Sequence, residues 1–237
     1  MLVTFFSFFE SVASASSWTA RLNVPVAMEV FDAVVPPLAT AAAIGTYAGS
    51  ALDARSWKEQ GTGALSPVPY GMLLLNAGGW MCYGLMAGIS SVVVSNAVGG
   101  CIAVCLCAAF VMYSREGSGE ARTVYGWVGG YLLVLSFLAL YGALSVATVG
   151  LLSSGIAILM FASPLATLRL VLATKSAASL PAPMVVMGLA CTVLWTAYGL
   201  RQGNPFMYVP NGIAMVLGVA QVVLLIVFRE RRPLLPV

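Results

Sequence analysis

The chain contains no histidine, and only 8% of its residues are charged. An ordinary soluble domain carries roughly a quarter of its residues as charges, so a soluble globular fold is excluded at the outset. The absence of histidine, together with the lack of any cluster of intramembrane carboxylates, leaves no general acid or base, so no catalytic residue is assigned and an enzyme is not expected. The two lysines, Lys58 and Lys175, both fall at predicted loops. A retinal protein needs a lysine in its last helix for the Schiff base, which removes that class. The 11 basic and 8 acidic residues give a net charge of +3, which names no nucleic-acid partner. Cys82, Cys101, Cys105, Cys107 and Cys191 all lie inside apolar stretches and none in a loop, so they form no disulfide framework. Their separation argues against a metal centre, and no metal or cofactor is expected.

What the chain has instead is apolar sequence, 60% of the total. A helix needs about 20 predominantly apolar residues to cross a bilayer. Uncharged runs at 33–52, 60–114, 123–168, 176–200 and 202–228 supply one, two, two, one and one spans. The divisions are expected near 88–91 and 145–154. The fold class is therefore an all-α membrane protein of seven transmembrane helices, integral and multi-pass. With the C-terminus inside, the inner segments hold nine cations and the outer ones only Arg21 and Arg201. That asymmetry places the N-terminus outside and the C-terminus inside. The apolar stretch near the N-terminus lacks preceding basic residues, so residues 1–27 read as an external tail rather than a cleaved signal.

Two halves of the chain repeat each other. Trp195, Tyr198, Gly199 and Asn211 lie 115 positions after Trp80, Tyr83, Gly84 and Asn96 (195 minus 80). "PLAT" occurs at Pro37 and again at Pro164, an offset of 127. The extra 12 residues of the first half fall in the charged stretch "LDARSWKEQG", a loop where insertion is cheap. The chain thus divides into a first three-helix repeat (28–114), a loop and linker helix (115–149), a second repeat (150–229) and a cytoplasmic tail (230–237). Three spans end opposite their start, so one linking helix is needed to bring the second copy back parallel to the first, a 3+1+3 plan known among transporters.

Some of these repeated residues carry chemistry of their own. Proline in a membrane helix frees a carbonyl and weakens the turn, and Pro37, Pro164, Pro69 and Pro181 occupy matching spans. Pro36, Pro67 and Pro183 stand beside them, so the register of these pairs is open by two residues. Asn96 and Asn211 place amides within the membrane, where they need partners or a ligand hydroxyl. Trp80 and Trp195 offer large, flat apolar faces.

Over residues 30–228 the chain resembles the SWEET family of sugar transporters. The resemblance rests on "ASPLATLRLVLATKS", "LWTAYGL" and "NPFMYVPNG" in the second half and on "SPVPYGMLLLN" and "SNAVGG" in the first. It implies facilitated, bidirectional diffusion of a mono- or disaccharide by alternating access, in the plasma membrane by preference over an endomembrane. By the same resemblance Asn96, Asn211, Trp80 and Trp195 contact the sugar, with the two indoles favouring a monosaccharide. Pro37, Pro69, Pro164 and Pro181 become a tetrad of hinges, and Tyr83 an outer-gate residue beside Tyr198. Asn204 stands where the family's gate carries aspartate, and is expected to accept a hydrogen bond from Tyr83. The partners are a small sugar and the lipid bilayer; the sugar's identity and homo-oligomerisation stay open. A carrier of another polar solute, such as an amino acid, and a seven-helix receptor are the alternatives. Proton coupling is not expected, since the spans lack titratable groups at their centres, with Asp32 near the mouth of the first helix as the exception to watch.

Overall fold

The computed structural model describes residues 24–114 and 118–228; the N-terminal tail, the C-terminal tail and the cations Arg21, Arg115, Arg229, Arg231 and Arg232 lie outside them. The described residues are largely helical: α1 (Val24–Asp53), a 3-10 turn (Ala54–Ser56), α2 (Trp57–Gln60), α3 (Val68–Ala87), α4 (Ser90–Tyr113), α5 (Ser118–Leu140), α6 (Val146–Leu159), α7 (Ala162–Thr174), α8 (Ala182–Arg201) and α9 (Pro205–Val227). The membrane offers the backbone no water, so each crossing segment satisfies its N–H and C=O groups internally as helix. Six of the crossing segments are long and apolar enough to span on composition alone, α6 and α7 counting as one. The seventh, α3, is absent from that set. It carries Asn76, Trp80, Tyr83 and four glycines, and it packs against α4, α5 and α6 rather than facing lipid over its full circumference.

Division points follow local chemistry. Gly88 and Gly203, 115 apart, both adopt left-handed backbone (φ 69° and 60°), the conformation that glycine reaches without strain and that ends a helix. Each turn is closed the same way, by Ile89 N donating to Gly84 O at 2.9 Å and by Asn204 N donating to Gly199 O at 2.8 Å. The resulting α3–α4 and α8–α9 hairpins define one end of the molecule. At the tight crossing inside each, a Cβ on Gly84 would meet the Val93 amide nitrogen at 3.1 Å, and one on Gly199 the Tyr208 amide nitrogen at 2.8 Å. The same contacts recur at an offset of 115, so the sequence repeat is a structural repeat. Pairings between repeats are matched too: α1 packs on α8, and α6 on α3. The linker α5 packs on α3 and α4 and turns Trp127, Leu133 and Leu140 outward, each at least three-quarters exposed, as a lipid-facing surface requires.

Four expectations need correction. The helix of the first span is already formed at Val24, earlier than residue 33, so Asp32 lies within α1 rather than ahead of it. The fourth and fifth spans divide at residues 141–145, where the Ser145 hydroxyl caps α6 by accepting from Thr148 N. The charged insertion is not a slack loop. It winds into the 3-10 turn and α2 and buries Trp57, 3% exposed, edge-on to Tyr70 (5.0 Å) and Phe110 (5.5 Å). Lastly, the fifth span is broken between α6 and α7, although its counterpart α1 runs unbroken through Pro36 and Pro37. Around the break, Phe161 N bonds Ile158 O and Ser163 N bonds Met160 O, spacings of three instead of four. Pro164 has no N–H to give Met160 O, which locates the cause.

A cavity between two repeats

Every sugar-contact residue expected from sequence lines one cavity of about 350 Å³ between the repeats. Trp80 on α3 and Trp195 on α8 are both 8% exposed, and Asn96 on α4 and Asn211 on α9 are half-buried beside them. The two asparagines share one contact on their own helices. Asn96 Nδ2 donates to Val92 O at 2.9 Å and Asn211 Nδ2 to Met207 O at 2.8 Å, each to the carbonyl one turn back. Asn96 Nδ2 also reaches Ser95 Oγ at 3.4 Å, so Asn96 keeps its Oδ1 acceptor available, whereas Asn211 keeps both Oδ1 and one N–H.

One end of this cavity is shut. Above the indoles, Tyr83 packs edge-on to Trp80 (5.5 Å, 90°) and to Phe206 (5.9 Å, 69°). Asn204 Nδ2 reaches the Tyr83 hydroxyl at 2.6 Å, so the amide donates where the sequence led us to expect it to accept. That arrangement leaves Asn204 Oδ1 buried without a partner. Turning the amide over would let Tyr83 donate to Oδ1, which suits so short a separation. Tyr198 does not join the pair. Its symmetric partner position is Ile89, whose side chain offers no polar atom, and Tyr198 packs on Trp195 instead (6.0 Å). A second tie was not foreseen: Arg201 donates to Asp32 Oδ2 at 3.0 Å, joining α8 to α1 at the same end. Ala39, Trp80, Tyr83, Val92, Val149, Trp195 and Met207, drawn from both repeats, form one apolar cluster beneath these contacts.

Toward the other end the lining continues. Ala43, Thr46, Tyr47 and Ser50 on α1, Leu73 and Asn76 on α3, and Met184 and Cys191 on α8 carry it past the indoles. There each repeat has its own apolar cluster, around Trp57 in the first and Val171 in the second. Span five contributes Met160 at its break, and α7 contributes no lining. Sequence reasoning missed Asn76, although it stands one helical turn before Trp80 and therefore on the same face. Its Oδ1 is buried with no partner, and it lines the cavity together with Tyr47 of α1. No ionisable carboxylate, lysine or arginine lines the cavity; Asp32 is paired with Arg201 instead.

The prolines are distributed unevenly. Pro37 lies inside α1 and Pro164 in the first turn of α7, but Pro181 caps α8 and Pro69 is the second residue of α3. The helix-capping counterpart of Pro181 is Pro67, the N-cap of α3, and that of Pro69 is Pro183. The expected pairing of Pro69 with Pro181 is thus out of register, because both helices open with Pro-x-Pro, where proline's missing N–H costs nothing.

The family model described as "Sugar efflux transporter for intercellular exchange" matches residues 38–118 and again 147–233. The chain belongs to the SWEET family. Among relatives, "Bidirectional sugar transporter SWEET1a" of Sorghum bicolor is 30% identical over 183 residues, 74% of this chain and 68% of its own length. "Bidirectional sugar transporter SWEET15" of Oryza sativa subsp. japonica is 28% identical over 186 residues, covering 76% and 58%. "Sugar transporter SWEET1" of Caenorhabditis elegans is 29% identical over 184 residues, covering 75% and 60%. The chain therefore spans 58% to 68% of the length of these relatives. A 3.7 Å structure of a eukaryotic SWEET transporter superposes with a TM-score of 0.79 at 23% identity, over 85% of this chain and 98% of that one, and shares its fold. Within this SWEET chain Asn204 and the Asp32–Arg201 pair together make the closed end.

Proposed function

We propose that the protein carries a neutral sugar, mono- or disaccharide, down its gradient by alternating access. The observation that carries this reading is the cavity itself: paired indoles and paired asparagines in one register, with no charged side chain among them. Two indole faces suit the C–H faces of a pyranose, and two amides suit its hydroxyls. An amino-acid zwitterion would need partners for both its charges, and this lining supplies none.

The closed hairpin end is the outer gate in this reading. Among the described residues, Arg55, Lys58, Arg122, Arg169 and Lys175 belong to the opposite end and Arg201 alone to the hairpin end, and the positive-inside bias supports a topology with the hairpins outside and the C-terminus in the cytoplasm. Opening toward the inside is assisted by the break at Met160 and Phe161, where Pro164 lets α7 move relative to α6. The plasma membrane is the favoured location. Uptake of radiolabelled sugars and amino acids into liposomes holding the purified protein tests the reading: sugar entry without amino-acid entry is expected, and the reverse would overturn it.

A further inference from the structure

The two copies of the first span can be matched on features that owe nothing to "PLAT". The left-handed caps that end them, Gly61 (φ 70°) and Lys175 (φ 54°), lie 114 positions apart (175 minus 61). Pro67 and Pro181, which cap the helices that follow, are also 114 apart. So are Ala39 and Ser153, each 0% exposed, and Trp57 and Val171, around which the two inner apolar clusters form. Thr40 Oγ1 donates to Ser91 O at 3.4 Å and Ser154 Oγ to Phe206 O at 3.0 Å, so donor and acceptor recur together at 114 and 115. All these features give one register, a single residue short of the hairpin offset. The spacing of 127 between the "PLAT" copies has no such support, and "LDARSWKEQG" fills the place of residues 166–175 instead of being added to the chain.

This register changes which residues correspond. The mate of Pro164 is Ser50 and not Pro37, and the broken turn at Met160 and Phe161 matches Thr46 and Tyr47. Met160 and Thr46 both line the cavity, as mates should. Past Thr46, α1 runs on as unbroken helix to Asp53, because serine at 50 supplies the N–H that proline at 164 withholds. Pro37 falls in the outer half of α1, and its own mate is Leu151, within α6.

The matching inner half-spans also pack differently. That of α1 lies on α8, in the other repeat: a Cβ on Gly45 would meet the Met187 side chain at 3.3 Å, and one on Gly49 that of Met184 at 3.2 Å. Small residues four apart let two membrane helices approach this closely. Its counterpart α7 packs on α9, in its own repeat, and lends no residue to the cavity wall.

We propose that the inner mouth of the cavity opens on one side only. The α7 helix swings about the break at Met160–Pro164, while the inner half of α1 stays seated on Met184 and Met187 of α8 as a fixed wall. The two repeats share a fold and divide the motion unequally, because the bending point present in one first span is filled by an ordinary hydrogen-bonded turn in the other. This inference rests on the alternating-access reading above.

Two experiments on the full chain in liposomes test it, each read as exchange of radiolabelled glucose or sucrose, whichever the wild type carries. Gly45→Cys combined with Met187→Cys allows α1 and α8 to be joined by copper-phenanthroline oxidation, the bond being verified by mass spectrometry; neither residue lines the cavity. Exchange by the oxidised protein is expected to stay within about twofold of the reduced protein, and a fall of about tenfold that dithiothreitol reverses would overturn the fixed wall. Pro37→Ala separates the two registers without a new bond. A rate within about twofold of wild type is expected, whereas a slowing as large as that of Pro164→Ala would make Pro37 its mate after all and α1 a second hinge. Wild-type protein that exchanges neither sugar overturns the sugar reading itself, and that outcome is read before any variant is made.

Discussion

At the residue scale the proposed site consists of a few amides, rings and one hydroxyl. Asn96 and Asn211 each donate to the carbonyl one turn back, Asn96 also reaches Ser95 Oγ, and both keep Oδ1 available. Replacement of either by Ala removes hydrogen bonds worth roughly 0.5–1.5 kcal/mol. Glucose affinity is expected to fall up to about tenfold per site in a fluorescence titration, with thermal melting unchanged; unaltered affinity in both would exclude the asparagines from the site. The gate predicts differently. Tyr83→Phe deprives the Asn204 amide of its bonded partner while retaining the ring contacts with Trp80 and Phe206. The closed end should open more often, and Cys191, which lines the cavity, should react faster with a membrane-impermeant maleimide applied from the hairpin side. An unchanged labelling rate would mean that Tyr83 seals nothing.

At the scale of elements, two expectations from sequence met opposite fates. The repeated Trp, Tyr, Gly and Asn positions came through because they sit inside the helix hairpins, where Gly84 and Gly199 tolerate no shift. The insertion "LDARSWKEQG" was misjudged because its charges mark it as exposed, while its single Trp57 does the packing. Trp57→Ala should lower stability by about 3–5 kcal/mol, the usual range for a buried aromatic truncated in place. That is measurable as a marked fall in melting temperature in detergent, and a loss within 0.5 kcal/mol would show the anchor to be idle. Pro164 and Pro69 offer a contrast. Pro164→Ala restores an N–H opposite Met160 O and should straighten the break, slowing sugar exchange in liposomes. Pro69→Ala acts at the start of α3, where no N–H is required, and should leave the rate near wild type. Equal effects of the two would refute the assignment of the hinge to the α6–α7 break.

For the whole molecule, the question is what drives the cycle. Asp32 was the residue that sequence left as a candidate proton carrier, and it is paired with Arg201 at the closed end instead of facing the cavity. Among the described residues no carboxylate, lysine, arginine or histidine lines the cavity, so no group of these kinds can carry a proton through it. Sealed vesicles with equal sugar on both sides and an imposed pH difference should show no net movement. Accumulation that a proton ionophore abolishes would sink the uniport reading, and Asp32→Asn would then be the variant to examine.

Composition and periodicity by themselves determined the membrane class, the seven crossings and the duplication, because the bilayer imposes length and apolarity on every span and the repeat preserves spacing within each hairpin. They also picked the indoles and amides, since identical residues at one offset come to face one another across a two-fold arrangement. Which residues join them was decided only in three dimensions. Tyr47 and Asn76 come to line one cavity from α1 and α3, Asp32 and Arg201 meet across 169 positions, and Asn204 and Tyr83 across 121. None of these pairs shares a period or an offset. Each depends on how far α1 extends, where a proline interrupts the fifth span and which helices end side by side, and those are outcomes of packing between elements rather than of order along the chain.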